Sequence, residues 1–310
     1  MLRASRSYLI CIDGIGGIGK TALALEVVHE CLKVSKGDLP ADGTPTFDAF
    51  VWTTAKDREL ALSDILDTVA RTLDYPYIAQ LPLEEKPSET AKLLQAQNCL
   101  LIVDNFETIT DDAVRDFLLN LPEPSKVLLT SREQKLRQAR AISLRGMQQG
   151  EALALIRNEG KRLGLLAVEN AEEKSLLRLY EATGGAPLAI KWAVGQMKQR
   201  GQSLDTVLDY LYEARGDVFE NIFARSWSLL SDYAKRVLMV MPIFATSASK
   251  EAIEAASDLH KWDMDDALGQ LVEMSLVEVS GGLEEQQRYS VHPLVRAFAS
   301  RKLNIRSQLK

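Results

Sequence analysis

No stretch of the sequence is both apolar and long enough to span a bilayer, so no membrane-crossing helix is expected. Met1 to Ile12 carries Arg3 and Arg6, but its apolar part is too short for a secretory leader and runs directly into Asp13. A cytoplasmic location and no membrane partner are the expectation. Cysteine is scarce. Cys11, Cys31 and Cys99 cannot all pair, and Cys11 and Cys99 lie inside apolar, strand-like runs. Reduced, buried thiols are therefore expected rather than a disulfide framework or a reactive nucleophile. Basic excess is missing too. A net charge of −6 argues against broad coating of nucleic acid, although a local basic patch is compatible with it. Internal repeats and low-complexity tracts are also lacking, which excludes a repeat array. What remains is an ordinary soluble composition over 310 residues, enough for two or three domains.

The most informative stretch is Gly14-Ile15-Gly16-Gly17-Ile18-Gly19-Lys20-Thr21, which fits G-x-x-x-x-G-K-[ST] at every fixed position. The apolar run Tyr8–Ile12 before it reads as a buried strand, and Thr21–Val34 after it reads as a helix. Glycines let such a loop turn its N–H groups onto phosphate oxygens, and the following helix adds its unpaired N–H groups and positive dipole end. Lys20 is placed to reach the β- and γ-phosphates, and the Thr21 hydroxyl to ligate Mg²⁺.

Alternating elements continue. Phe47–Thr54 is a predicted strand, Leu60–Leu73 and Glu84–Ala96 are predicted helices, and Tyr75–Pro82 is a proline-broken link. Cys99-Leu100-Leu101-Ile102-Val103-Asp104-Asn105 is an apolar strand that delivers Asp104 to the carboxyl edge of a sheet, where a carboxylate can hold Mg²⁺ directly or through water. Asp111–Leu119 follows as a helix. Lys126–Arg132 is a further strand whose terminal Arg132 either reaches a γ-phosphate or is a plain surface arginine. Ala141–Leu144 completes a mostly parallel sheet with helices on both faces.

From Gln148 the chain reads as helices alone: Gln149–Arg162, Glu172–Ala182, Ser203–Ala214 and Asp217–Leu230. Thr183-Gly184-Gly185-Ala186-Pro187 is, by physics alone, a helix–turn–helix corner with Pro187 in a first turn. The tail predicts helices from Ser231 to Met241, Lys250 to Ala256 and Trp262 to Met274. A hairpin of Leu276–Val279 and Arg288–Val291 follows around Gly281-Gly282, and a helix closes the chain from His292 to Leu303. Three helices and a hairpin are the order of a winged helix. The expected domains are therefore residues 1–146, an α/β P-loop NTPase; 147–222, all-helical; and 223–310, a winged helix.

In this order, the motifs resemble the NB-ARC branch of the STAND ATPases, relatives of plant disease-resistance receptors, the apoptosome scaffold and bacterial signalling and defence proteins. The resemblance covers nearly the whole chain. It is carried by the phosphate loop, the Asp104-Asn105 strand end, Thr130-Ser131-Arg132, Gly185-Ala186-Pro187-Leu188 and Val291-His292-Pro293, with Phe50-Val51-Trp52 in support. The resemblance implies ADP or ATP with Mg²⁺ as ligands, bound by Gly14 to Ala22. It implies that Arg132 senses the γ-phosphate, that Pro187 packs on adenine and that His292 touches the β-phosphate of ADP. It further implies a switch, closed with ADP and assembling into a ring-like homo-oligomer with ATP. Without the resemblance, His292 would be a structural histidine near a strand end, as His29 and His260 are taken to be.

Departures shape the rest. The family's Gly-Arg segment ahead of the phosphate loop has no match in the thirteen residues before Gly14, and effector and sensor segments are expected outside this chain. Asn105 stands where a second acid is frequent, and a neutral amide cannot take a proton from an attacking water. Slow ATP hydrolysis is therefore expected, with Glu107 as reserve base. Lys20, Asp104 and Arg132 are the catalytic candidates, and Thr21 and Asp104 the metal ligands. Adenine follows from the resemblance, since no Asn-Lys-x-Asp stretch reads guanine. The alternative is a transcription regulator binding DNA through its winged helix. Residues 223–310 carry equal numbers of basic and acidic side chains, and Trp262–Met274 carries Asp263, Asp265, Asp266 and Glu273 with no basic residue, so nucleic acid is the less expected partner. A metabolic kinase or ring motor is a third reading, without a visible acceptor site.

Overall fold

The computed structural model describes residues 7–56, 58–213, 217–281 and 287–308. The chain divides into two compact units, Met1–Leu144 and Arg145–Lys310.

The first unit runs β1 (Leu9–Asp13), α1 (Lys20–Lys36), β2 (Ala49–Thr54), α2 (Leu62–Thr72), α3 (Lys86–Ala96), β3 (Cys99–Asp104), α4 (Asp112–Leu119), β4 (Lys126–Ser131) and β5 (Arg140–Ser143). Its strands form one sheet in the order β2-β3-β4-β1-β5, and every pairing is parallel. Period-two alternation explains why the strand sequences are apolar throughout, because both faces are covered. Leu9, Cys11, Leu101, Val103, Val127 and Leu129 point to one core with Ile65, Val69, Leu94, Val114 and Leu118 of α2, α3 and α4. Ile10, Ile12, Leu100, Ile102 and Leu128 point to the other, with Ala24 and Cys31 of α1. The parallel direction places the C-terminal ends of β1, β3 and β4 on one edge, and each of those ends carries a residue of the site.

The second unit runs α5 (Gln149–Arg162), α6 (Leu166–Glu169), α7 (Glu173–Thr183), α8 (Pro187–Lys198), α9 (Leu204–Glu213), α10 (Val218–Leu229), α11 (Asp232–Val240), β6 (Ala248–Ser249), α12 (Lys250–Ser257), α13 (Lys261–Glu273), β7 (Glu278–Ser280), β8 (Arg288–Ser290) and α14 (Pro293–Gln308). Leu153, Ile156, Leu176, Leu179, Ile190 and Val194 build the core under its first helices. Ser231 caps α11 by accepting the Ala234 N–H at 3.1 Å. The predicted two-strand hairpin is part of a three-stranded antiparallel sheet, β6-β8-β7, because Ala248 and Ser249 pair with Tyr289 and Arg288. Of the expected Gly281-Gly282 turn, Gly282 lies outside the described residues. α8 packs tightly on the end of α13: a Cβ on Gly195 would stand 2.9 Å from the Met274 Cα, and the buried Trp192 donates Nε1–H to the Ser275 carbonyl at 2.9 Å.

Candidate functional site

The site is built on the loop between β1 and α1. Gly14 leaves the strand at φ 150°, and a Cβ there would lie 2.7 Å from the backbone oxygen of Leu144. Gly19 closes the loop at φ 104° as the N-cap of α1. Only glycine takes these conformations without strain. α1 has no side-chain cap and no acidic residue in its first turn. Its unpaired N–H groups and positive end therefore face an anion site rather than a carboxylate of the protein.

Lys20 is buried at the head of this helix. Its ammonium donates to the carbonyls of Gly14 at 2.8 Å and Ile15 at 3.0 Å, bracing the loop from inside. Burial lowers its pKa from the ordinary lysine value, and Arg132 acts in the same direction, while Glu107, Asp104 and Asp13 favour the charged form. Lys20 thus sits among one further cation and three carboxylates.

Asp104 ends β3 and is buried. Its Oδ1 accepts the hydroxyls of Thr21 at 2.8 Å and Thr130 at 2.6 Å, and its Oδ2 accepts Thr54 at 3.2 Å. Strand order explains the convergence. β3 lies between β2 and β4, Thr54 is in register with Asp104, and Thr130 lies near the end of β4. A hydroxyl and a carboxylate in contact at the head of α1 are hard oxygen donors that suit Mg²⁺, which takes few protein ligands and fills its octahedron with phosphate and water oxygens. Among the described residues no cluster of three or more His, Cys, Asp or Glu side chains is arranged for a metal. The Thr54 and Thr130 hydroxyls are functional groups to which no sequence motif assigns a role. The only signal for them was a threonine at or near each strand's C-terminal end.

Arg132 follows β4 directly. Its Nε lies 3.0 Å from Glu107 Oε1, and its backbone N–H donates to Glu107 Oε2 at 3.3 Å. The Glu107 carboxylate, expected as a reserve base, is therefore engaged by Arg132. Asn105 adopts a left-handed φ of 60° and donates its backbone N–H to Thr130 Oγ1 at 3.0 Å, so it serves the turn after β3. Asp13 accepts the Ser143 hydroxyl. Beneath the loop, burial first and then Asp13 and Glu107 push the Cys11 thiol up to about 12, which keeps it protonated.

The remaining predicted site residues belong to the second unit. Gly184 ends α7 at φ 60°, Ala186 is the N-cap of α8 and Pro187 is its first residue. This turn is locked to the chain that enters the unit: the Met147 N–H donates to the Gly185 carbonyl at 2.8 Å, and a Cβ on Gly146 would meet the Gly184 oxygen at 1.8 Å. His292 Nδ1 accepts the Leu294 N–H at 3.2 Å in the first turn of α14. An acceptor at Nδ1 puts the proton of the neutral ring on Nε2, the tautomer that donates from the far nitrogen.

Among known families, the NB-ARC domain matches residues 1–163 and the winged helix-turn-helix domain matches residues 230–304. The transcription activator GutR of Bacillus subtilis is 25% identical over 328 residues, covering 97% of this chain and 38% of its own length. The regulatory protein AfsR of Streptomyces coelicolor is 29% identical over 304 residues, covering 93% of this chain and 28% of its own. A crystal structure of a STAND protein with a tetratricopeptide repeat sensor from Pyrococcus horikoshii superimposes with a TM-score of 0.62 at 19% identity, over 96% of this chain and 40% of that one. The chain thus spans two fifths or less of the length of these relatives.

Proposed function

The chain belongs to the NB-ARC family, and on that premise we propose that it is the core of an adenine-nucleotide switch that hydrolyses ATP slowly. The observation that carries this reading is the convergence of Lys20, the uncapped start of α1 and the Thr21–Asp104 contact on one sheet edge. Three carboxylates against two cations repel a bare polyphosphate. Positive charge supplied at Thr21 and Asp104 by Mg²⁺ would offset that repulsion and polarise the phosphoryl group. The loop N–H groups and Lys20 hold the phosphates. Slow turnover follows from the surroundings of the attacking water: Asn105 has no basic oxygen to give, and the Glu107 carboxylate is occupied by Arg132.

Switching requires contacts that differ between nucleotides. Arg132 is the group for the γ-phosphate and His292, donating from Nε2, the group for the β-phosphate of ADP, with Pro187 against the base. ADP would then hold the closed form, and ATP with Mg²⁺ would favour assembly into a ring. Titration calorimetry with ADP and ATP, with and without Mg²⁺, tests the core of this reading. Binding that strengthens with Mg²⁺ and is lost in Lys20→Met supports it; binding unaffected by that substitution refutes it.

A second reading, DNA regulation through the winged helix, is favoured by the match at residues 230–304 and by the description of GutR as a transcription activator. Its weakness is the surface of α13. The helix starts at Lys261, one residue earlier than expected, so it does carry one basic residue, at its first position, against Asp263, Asp265, Asp266 and Glu273, with Asp265 paired to Lys250. Arg296 is spent on the carbonyls of Pro242, Phe244 and Ala245, and Arg301 on Glu220 and the Phe298 ring.

A further inference from the structure

Glu107 stands in the short 3₁₀ turn Phe106–Thr108 that follows β3, and the turn is pinned from several sides. Phe106 is buried beneath it. The Asn105 N–H is held by Thr130, and the Thr108 hydroxyl bonds the carbonyls of Ala55 and Asn105 at 3.0 Å each. The Lys135 ammonium donates to the Glu107 carbonyl. The carboxylate is thus a fixed acceptor with a side chain 12% exposed, whereas the Arg132 side chain is 48% exposed at the end of its strand. In this pair the guanidinium is the partner with freedom to leave.

A guanidinium fits two kinds of anion with its planar donors, carboxylates and phosphates. Resting on the nucleotide reading above, we propose that Glu107 is a positioning residue that parks Arg132 and sets the preference between nucleoside diphosphate and triphosphate. Its carboxylate and a γ-phosphoryl group compete for the same guanidinium. A diphosphate leaves the Glu107–Arg132 pair closed. A triphosphate must draw Arg132 away, and the carboxylate left behind repels the new phosphate. The pair therefore biases the protein toward the diphosphate form. It delays the moment at which an acceptor for the water proton is exposed.

The test measures dissociation constants for ADP and for the slowly hydrolysed analogue ATPγS, both with Mg²⁺, in wild type, Glu107→Gln, Arg132→Ala and the double variant. Glu107→Gln is expected to tighten ATPγS about tenfold, the scale of one charge-assisted contact, and to change ADP by less than about twofold. In the Arg132→Ala background the gain should vanish, because Glu107 acts through Arg132. Glu107→Met, which keeps the volume and removes the charge, should give the same selective gain and serves where the glutamine variant folds poorly. Equal changes in both nucleotides, or a gain that survives without Arg132, overturn the latch alone. A wild type that binds neither nucleotide overturns the nucleotide reading and the latch together.

Discussion

Two buried residues make opposite predictions at the residue scale. Lys20 braces the loop and is the cation nearest the expected phosphates, so Lys20→Met should weaken nucleotide binding about a hundredfold, as loss of charge-assisted hydrogen bonds to an anion does. Calorimetry reads this directly. Cys11 is expected to do nothing at neutral pH. Its folded pKa, about 12, lies above its ordinary value of 9.0, so the folded state binds the proton more tightly. Its contribution to stability is complete below pH 9 and is lost as pH rises from there toward 12. Iodoacetamide at pH 8 should therefore leave Cys11 unmodified in the native protein and label it readily in urea. Rapid native labelling would show that the strand beneath the loop is open. Asp104 differs from both, since three hydroxyls converge on it. Asp104→Asn should remove most of the Mg²⁺ dependence of binding, measured as the ratio of affinities with and without the ion.

At the scale of elements, the turn ahead of α8 shows how little freedom the backbone has. Gly185 sits at φ 68°, and a Cβ there would lie 2.8 Å from the Met147 oxygen and 2.9 Å from the Tyr180 ring. Gly185→Ala should cost about 2 kcal/mol in urea unfolding of the second unit, from left-handed strain and overlap together. Much of this architecture was legible beforehand. The apolar strands, the helices on either side of them and the Ser231 cap follow from period and capping chemistry over stretches long enough to show a period. α6 and β6 did not show, because four and two residues carry no period. At the site, Lys20, Thr21 and Asp104 were visible as motif positions. The threonine pair around Asp104 and the Glu107–Arg132 contact were not, because they depend on which strands are neighbours and join residues far apart in the chain. The doubled role of Glu107, expected as a base and found holding an arginine, is of this kind.

At the scale of the whole molecule, the comparisons establish the family and the fold, and the proposed switch has measurable consequences. It predicts that ATPγS with Mg²⁺ shifts the protein to a larger species in light scattering after size exclusion, while ADP holds it small. It also predicts that duplex DNA is not retarded in a salt-sensitive way, since the surface of α13 is acidic and Trp262, 84% exposed, is its most prominent apolar group. A salt-sensitive shift would instead favour the regulator reading. The most direct measurement of the central claim is the nucleotide carried by the purified protein, released by denaturation and identified by chromatography. ADP near one equivalent, retained through gel filtration, is the expected result. Protein that carries no nucleotide and retains none after incubation with ADP or ATP and Mg²⁺ would contradict it.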